Sequence, residues 1–230
     1  YEICACLVGS EMCIRDSLSF ELFPPKTEKG LQNLPGTIDH LMKYNPSYIS
    51  CTYGAGGGNV GANREVCQMI KNAGTTPVTH FTVIKNTKEG IKEQLDQYLA
   101  DGVDHMLALR GDIPLGETTT CGDFDYATDL VKFVRDTYGD KFEIAVAGSP
   151  EGHISCRSLE SDIAVLKQKQ DNGADYIMTQ LCWDMEQFKY WLDAIRKAGI
   201  TMPVDVGVMP ILDQAATINM ALSRNGCVMD

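Results

Sequence analysis

No apolar run in this chain reaches the length of a bilayer span. There is no low-complexity tract and no Pro- or Ser-rich linker, so nothing marks a join between two domains. The nine cysteines include no C-x-x-C pair. Their number is odd and the chain is not small, so a disulfide framework is a poor reading, and the ligand spacing of a structural zinc site is missing. Reduced, mostly buried thiols in a cytoplasm fit better. Positive charge is also short: 20 Lys and Arg face 31 Asp and Glu, a net charge of -11 with a pI near 4.8. An acidic surface repels phosphate backbones, which argues against non-specific nucleic-acid binding.

What remains is a chain of 230 residues, 44% hydrophobic, enough for one sizeable core and a single α/β domain. Its first part does not match the rest. Tyr1–Ser17 holds Cys4, Cys6 and Cys13, and lacks the basic start of a signal peptide. The string from Val8 to Ser17 resembles translated sequencing-adapter DNA. This segment is read as a non-native leader and the fold as residues 18–230; the alternative is a genuine short leading helix.

From Leu18 onward, short apolar runs alternate with helical patterns. Strands are predicted at Leu18–Phe23, Tyr48–Tyr53, Pro77–Ile84, His105–Gly111, Phe142–Ala147, Tyr176–Leu181 and Val204–Met209. Helices are predicted at Leu31–Met42, Arg64–Asn72, Thr87–Ala100, Tyr126–Tyr138, Leu159–Asn172 and Glu186–Ala198, with another starting at Gln214–Leu222. Gly102, Gly173 and Gly199 each fall just past a helix end, where a left-handed cap is needed. Strand, helix, glycine, strand is the βαβ rhythm of a parallel sheet. A (β/α)8 TIM barrel needs eight strands and typically about 250 residues. Seven visible units leave an open sheet or a truncated barrel. Polar residues gather at one end of every strand, as at a barrel's C-terminal face, so the truncated barrel is preferred. It predicts two unpaired edges, on the first and seventh strands, a leader that packs poorly, and an unstable fragment.

Strand alternation separates Leu18, Phe20 and Leu22 from Ser19 and Glu21, and aims Glu21 into the barrel near its mouth. The same count groups Ser50 with Thr52, Ala108 with Arg110, and Met178 with Gln180. Burial of Glu21 would raise its pKa and suit a general acid; the alternative is a structural carboxylate paired with Arg110. Arg110 at the end of its strand can hold a phosphate, and Asp112 can tune a cofactor ring or stabilise a substrate cation; the alternative is an internal salt bridge and a turn. Gly54–Gly58 is better read as a flexible mouth loop than as a phosphate loop. His80, inside a strand, reads more readily as a core or mouth residue than as a catalyst. His153, in a loop, is better placed for a ligand. Asp162 and Lys169 lie seven apart on one helix face, the usual pattern of solvated charges.

Taken together, Ser19-Phe20-Glu21-Leu22-Phe23-Pro24-Pro25, Thr52-Tyr53-Gly54-Ala55, Ala108-Leu109-Arg110-Gly111-Asp112, Pro150-Glu151-Gly152-His153, Thr179-Gln180 and Pro210 resemble the methylenetetrahydrofolate reductase family in order and spacing. That family is a flavin-containing (β/α)8 barrel reducing 5,10-methylenetetrahydrofolate to 5-methyltetrahydrofolate. The resemblance implies FAD as cofactor, NADH or NADPH as reductant, a folate substrate, a cytoplasmic location and a homo-oligomer. It implies Glu21 as the general acid that opens the folate's five-membered ring to an iminium, and Asp112 near flavin and folate, stabilising that charge. Gln180 would bind the pterin and Thr52 would lie near the nicotinamide. Tyr53, Ala55, His80, Arg110, Gly111, Ala127, His153, Asp162 and Lys169 would hold FAD. Ser149 stands against the flavin where many relatives carry tyrosine. Ala216 and Met220 replace a glutamine and a phenylalanine. Those two changes motivate an alternative, a folate- or flavin-binding subunit of an electron-transfer complex without its own NAD(P)H reaction. A flavin-free barrel enzyme is a second one.

Overall fold

The helices begin where the chain supplies a cap. Thr27, Thr87 and Ser158 accept hydrogen bonds from the backbone of Gly30, Gly90 and Ser161, and the Asp184 carboxylate accepts from Glu186 and Gln187. Each cap satisfies donors that the first helical turn leaves unpaired. The resulting helices are α1 (Glu28–Met42), α2 (Val60–Asn72), α3 (Lys88–Ala100), α4 (Ala127–Tyr138), α5 (Leu159–Asp171) and α6 (Met185–Lys197). After α3 and α5 the chain turns through Gly102 and Gly173, at φ +69° and +101°, the left-handed caps predicted there.

The structure is a computed structural model that describes residues 4–10, 13–25, 27–53, 60–113, 116–153, 156–209, 213–215 and 218, with 4–10, 13–17, 60 and 61 described by their backbone. The strands are β1 (Cys4–Ser10), β2 (Cys13–Leu22), β3 (Tyr48–Cys51), β4 (Thr76–Thr82), β5 (His105–Leu109), β6 (Glu143–Gly148), β7 (Tyr176–Thr179) and β8 (Val204–Val208). From β2 to β8 every neighbouring pair is parallel, giving the seven parallel strands expected of a (β/α)8-type barrel that lacks one parallel strand. Several strands end earlier at the mouth than predicted, because the apolar runs continue into the mouth loops after the ladders stop. The predicted Gln214–Leu222 helix lies largely outside the described residues.

The seam corrects the expectation of two open edges. β1 lies antiparallel between β2 and β8, with Ala5 opposite Phe20 on one side and opposite Val208 on the other, and the sheet closes as a barrel. β2 reaches back to Cys13 because it is also one arm of a hairpin with β1. Unpaired edges on β2 and β8 would present rows of free N–H and C=O groups, and an adjoining extended segment satisfies both.

Outward positions of the strands, among them Phe20, Leu22, Ile49, Cys51, Phe81, Met106, Ile144, Val146, Ile177 and Val204, form one apolar cluster with the helices. Leu107, Ala145, Tyr176 and Met178 pack inside with Tyr48 and Leu109. The predicted inward pairing of Ala108 with Arg110 is thereby corrected. Ala108 faces the helices, and Leu107 and Leu109 face in. Arg110 follows the last residue of β5, so strand alternation does not govern it.

Candidate active site

Because Phe20 and Leu22 join the outer cluster, the pleat turns Ser19 and Glu21 inward. By the same alternation Tyr48 and Ser50 point in from β3, His80 and Thr82 from β4, and Asp205 from β8. Glu21 lies at the mouth, opposite Ser50 in register. Its Oε2 is 3.9 Å from Nε2 of His80, and the two side chains are 23% and 8% exposed. Burial lowers the His80 pKa, and the nearby Glu21 charge only partly opposes this. The imidazole is therefore neutral near pH 7, and the contact is a polar one, not an ion pair.

The interior is polar to an unusual degree. Ser19 Oγ, Ser50 Oγ, His80 Nε2, Thr82 Oγ1 and Asp205 Oδ1 are buried and have no hydrogen-bond partner among the described residues. Buried polar atoms are almost always paired, so such a group calls for a bound partner. Deeper in, the Tyr48 hydroxyl donates to Asp205 Oδ2. Burial pushes the Asp205 carboxyl up to about 6, although the bond from Tyr48 pulls the other way.

A second group of side chains gathers around the loop after β6. The Asp162 carboxylate accepts from the His153 backbone at 3.2 Å and from the Cys156 thiol at 3.6 Å. Lys169 reaches inward to the Ala147 carbonyl at 2.9 Å, and burial lowers its pKa. His153 is lowered by burial first, with Arg110 and Lys169 adding to that and Asp162 opposing it. These cross-influences show that Arg110, His153, Asp162 and Lys169 converge. Asp162 and Lys169 are thus not the freely solvated face their spacing alone suggests.

Arg110 is half-buried and its Nε donates to the Gly111 carbonyl at 3.3 Å. Gly111 has φ +86°, and a Cβ there would come within 3.1 Å of Thr82 and Ile84, so glycine lets the loop cross β4 closely. Asp112 beyond it is exposed. Among the described residues no ion pair joins Glu21 to Arg110, which leaves the mouth contact of Glu21 with His80. Tyr53 is brought near the mouth by its backbone, while its hydroxyl donates to Gln94 on α3 at 3.1 Å and its ring lies against Phe81. Gln180 continues from β7, with its N–H donating to the Gly148 carbonyl at 2.8 Å. Ser149 accepts the Gly152 N–H in the turn leading to His153, and Ala127 opens α4. Ala55, Gly54–Gly58, Pro210, Ala216 and Met220 lie outside the described residues.

Two residues were missed by sequence reasoning. Asp205 carries the same signal as Glu21, an acid alternating with Val204 and Val206, and could have been found by it. Asn63 carries none, because its role comes entirely from tertiary contacts.

Fold and site define an α/β barrel whose C-terminal mouth gathers a carboxylate, a neutral imidazole and a cationic cluster. The methylenetetrahydrofolate reductase family profile matches residues 13–224, and the chain belongs to that family. It is 38% identical over 218 residues to methylenetetrahydrofolate reductase (NADH) 1 of Arabidopsis thaliana, covering 89% of this chain and 37% of the relative. It is 34% identical over 196 residues to the 5,10-methylenetetrahydrofolate reductase of Salmonella typhimurium, covering 85% of this chain and 64% of the relative. The chain thus spans just over a third of the plant relative. A Clostridium thermocellum protein that binds two copies of 5-methyl-5,6,7,8-tetrahydrofolic acid shares the fold with a TM-score of 0.59 and 15% identity, over 79% of this chain and 60% of that one.

Proposed function

We propose that the protein reduces 5,10-methylenetetrahydrofolate to 5-methyltetrahydrofolate with NADH or NADPH, through FAD held at the barrel mouth. The observation that carries this reading is Glu21, turned inward at the mouth beside neutral His80 in a chain of this family. The residues present fit FAD. Arg110, His153 and Lys169 gather donors and positive charge suited to a pyrophosphate, with Asp162 ordering the His153 backbone. Ser50, His80 and Thr82 hold buried atoms that need a polar partner, as the edge of a heteroaromatic ring supplies. FAD held by these residues would supply the hydride chemistry that links a nicotinamide reductant to the folate.

The chain's own groups do the rest. Glu21 donates a proton to the amine nitrogen at which the folate ring opens, and Asp112 stabilises the cation so formed. Gln180 binds the pterin, and Thr52 borders the nicotinamide. Ser149, Ala127, Gly111 and the backbone of Tyr53 would border the cofactor, and the family resemblance adds Ala55. The relative named for NADH supports a nicotinamide reductant. Cys51, Cys67, Cys121, Cys156 and Cys182 are free thiols, which supports a reducing, cytoplasmic setting. No helix among the described residues is long and apolar enough to cross a membrane. The family resemblance supports a homo-oligomer.

Stopped-flow kinetics on Glu21→Gln in the full-length protein tests the assignment. Bleaching of the flavin by NADH is expected to persist, while reoxidation by the folate slows by roughly 10²–10⁴-fold. Equal loss in both half-reactions would make Glu21 a structural carboxylate.

A further inference from the structure

Asn63 stands on the first turn of α2 and is fully buried. Both ends of its side-chain amide are in use. Nδ2 donates to the Cys51 carbonyl at 3.0 Å and to the Thr52 carbonyl at 3.1 Å. Oδ1 accepts from the Thr79 hydroxyl at 2.8 Å, the Tyr98 hydroxyl at 2.7 Å and the Cys67 thiol at 3.5 Å. One side chain therefore joins β3, β4, α2 and α3.

These bonds sit directly behind the mouth. Cys51 is the last residue of β3, and the Thr52 N–H still donates to the Leu22 carbonyl on β2 at 2.9 Å. After Thr52 and Tyr53 the next described element is α2. Asn63 ties the first turn of α2 to the end of β3. The Thr79 hydroxyl also contacts the carbonyl of His80 at 3.1 Å, so the same amide reaches the inward residue of the next strand. The network has a fixed polarity. Burial holds the Tyr98 phenol far above its ordinary range. The interaction with Cys67, and then burial, raise the Cys51 thiol. Tyr98 therefore remains a donor, and Cys51 brings no charge. An amide is the side chain that can donate twice and accept several times in one place. A carboxylate lacks the donors, and an apolar residue would orphan every partner.

We propose that Asn63 is a positioning residue that fixes Thr52 and His80 relative to Glu21 by clamping the mouth end of β3 to the middle of β4 from behind. The functional half of this rests on the reading of that mouth as the flavin and nicotinamide site. The clamping itself does not. Sites of this kind depend on the residues that lock their contact groups in place.

The test compares two variants of the full-length protein. Asn63→Asp keeps the shape and the acceptors for Thr79 and Tyr98, but removes both donors to the β3 carbonyls. Tyr98→Phe removes one buried bond to the same Asn63 from the far side and leaves the clamp intact. Amide hydrogen exchange should rise at least about tenfold at Thr52 and Tyr53 in Asn63→Asp, and stay within about twofold there in Tyr98→Phe. In the flavin-loaded protein, Asn63→Asp should also shift the flavin absorption band and raise the NADH KM more than it lowers kcat; Tyr98→Phe should do neither. If both variants speed exchange evenly over the chain, or if Thr52 exchange is unchanged in Asn63→Asp, Asn63 is merely a stabilising core amide and the proposal falls. If exchange rises locally while the unsubstituted protein takes up no flavin, the clamp stands and the flavin reading fails.

Discussion

The two faces of the same strands are built on opposite rules. Outward, Phe20, Ile49, Phe81, Ile144 and Ile177 meet the helices in one apolar cluster, and the buried Thr79 hydroxyl on that face donates to Asn63. Inward, Ser19, Glu21, Ser50, His80, Thr82 and Asp205 replace apolar side chains, and five of them carry a buried polar atom without a partner among the described residues. The outer face supplies the burial that holds the barrel together. The inner face gives up stability by burying polar atoms without a partner among the described residues.

The largest effect is expected on the outer face. Phe81 is fully buried, with its ring 5.8 Å from that of Tyr53 and 6.3 Å from that of Tyr98. Phe81→Ala should lower stability by about 3–5 kcal/mol, read as a fall in the urea midpoint at unchanged m. A loss under about 1 kcal/mol would mean that the outer cluster is not what holds the barrel, and the contrast would break.

Asp205 sharpens the contrast from the inner side, and pH makes it visible. Burial pushes its carboxyl up to about 6 in the folded chain against an ordinary 3.8, and the Tyr48 hydroxyl from β3 donates to it. Between those values the folded state keeps a proton that the unfolded state has lost, so stability falls as pH rises from about 4 to about 6 and is flat above. At roughly 1.4 kcal/mol per unit, the loss is about 2–3 kcal/mol. Asp205→Asn keeps a partner for Tyr48 and removes the charge. It should match the parent near pH 4 and exceed it by about that amount at pH 7, in parallel urea titrations. Equal stabilities at pH 7 would show that the inward carboxylate is solvated and carries no penalty.

Much of this was legible in the sequence because it depends on local pattern. Alternation around Phe20 and Leu22 turned Glu21 inward, and glycines at 102 and 173 marked helix ends. The convergence of Arg110, His153, Asp162 and Lys169 was legible only through family resemblance, since it joins two separate βα units, the end of β5 and the β6–α5 unit. At β5 the alternation was read out of phase. Arg110 was counted as part of the strand, whereas the ladder ends at Leu109. Asn63 was invisible because an asparagine early in a helix looks like any polar surface residue until β3, β4 and α3 close over it. The seam was misread because strand count predicts edges but does not say which segment will cover them.

The smallest effect is the finest test of the two faces, because it compares the same chemistry on each. Ser19 and Thr79 are both hydroxyl residues with almost no exposure, one inward on β2 and one outward on β4. Thr79 donates to Asn63 at 2.8 Å, so Thr79→Val leaves a buried acceptor short of a bond and should cost about 1–3 kcal/mol. Ser19 Oγ has no partner among the described residues, so Ser19→Ala removes a hydroxyl whose burial is uncompensated. It deletes a single atom and opens little space. Its effect should lie within about 1 kcal/mol of zero, on either side, measured in the same urea titration. If Ser19→Ala proves as damaging as Thr79→Val, the inner hydroxyl is held by a bound water as firmly as the outer one is held by Asn63. The inner face would then be a satisfied polar core, and its polar atoms would no longer argue for a ligand.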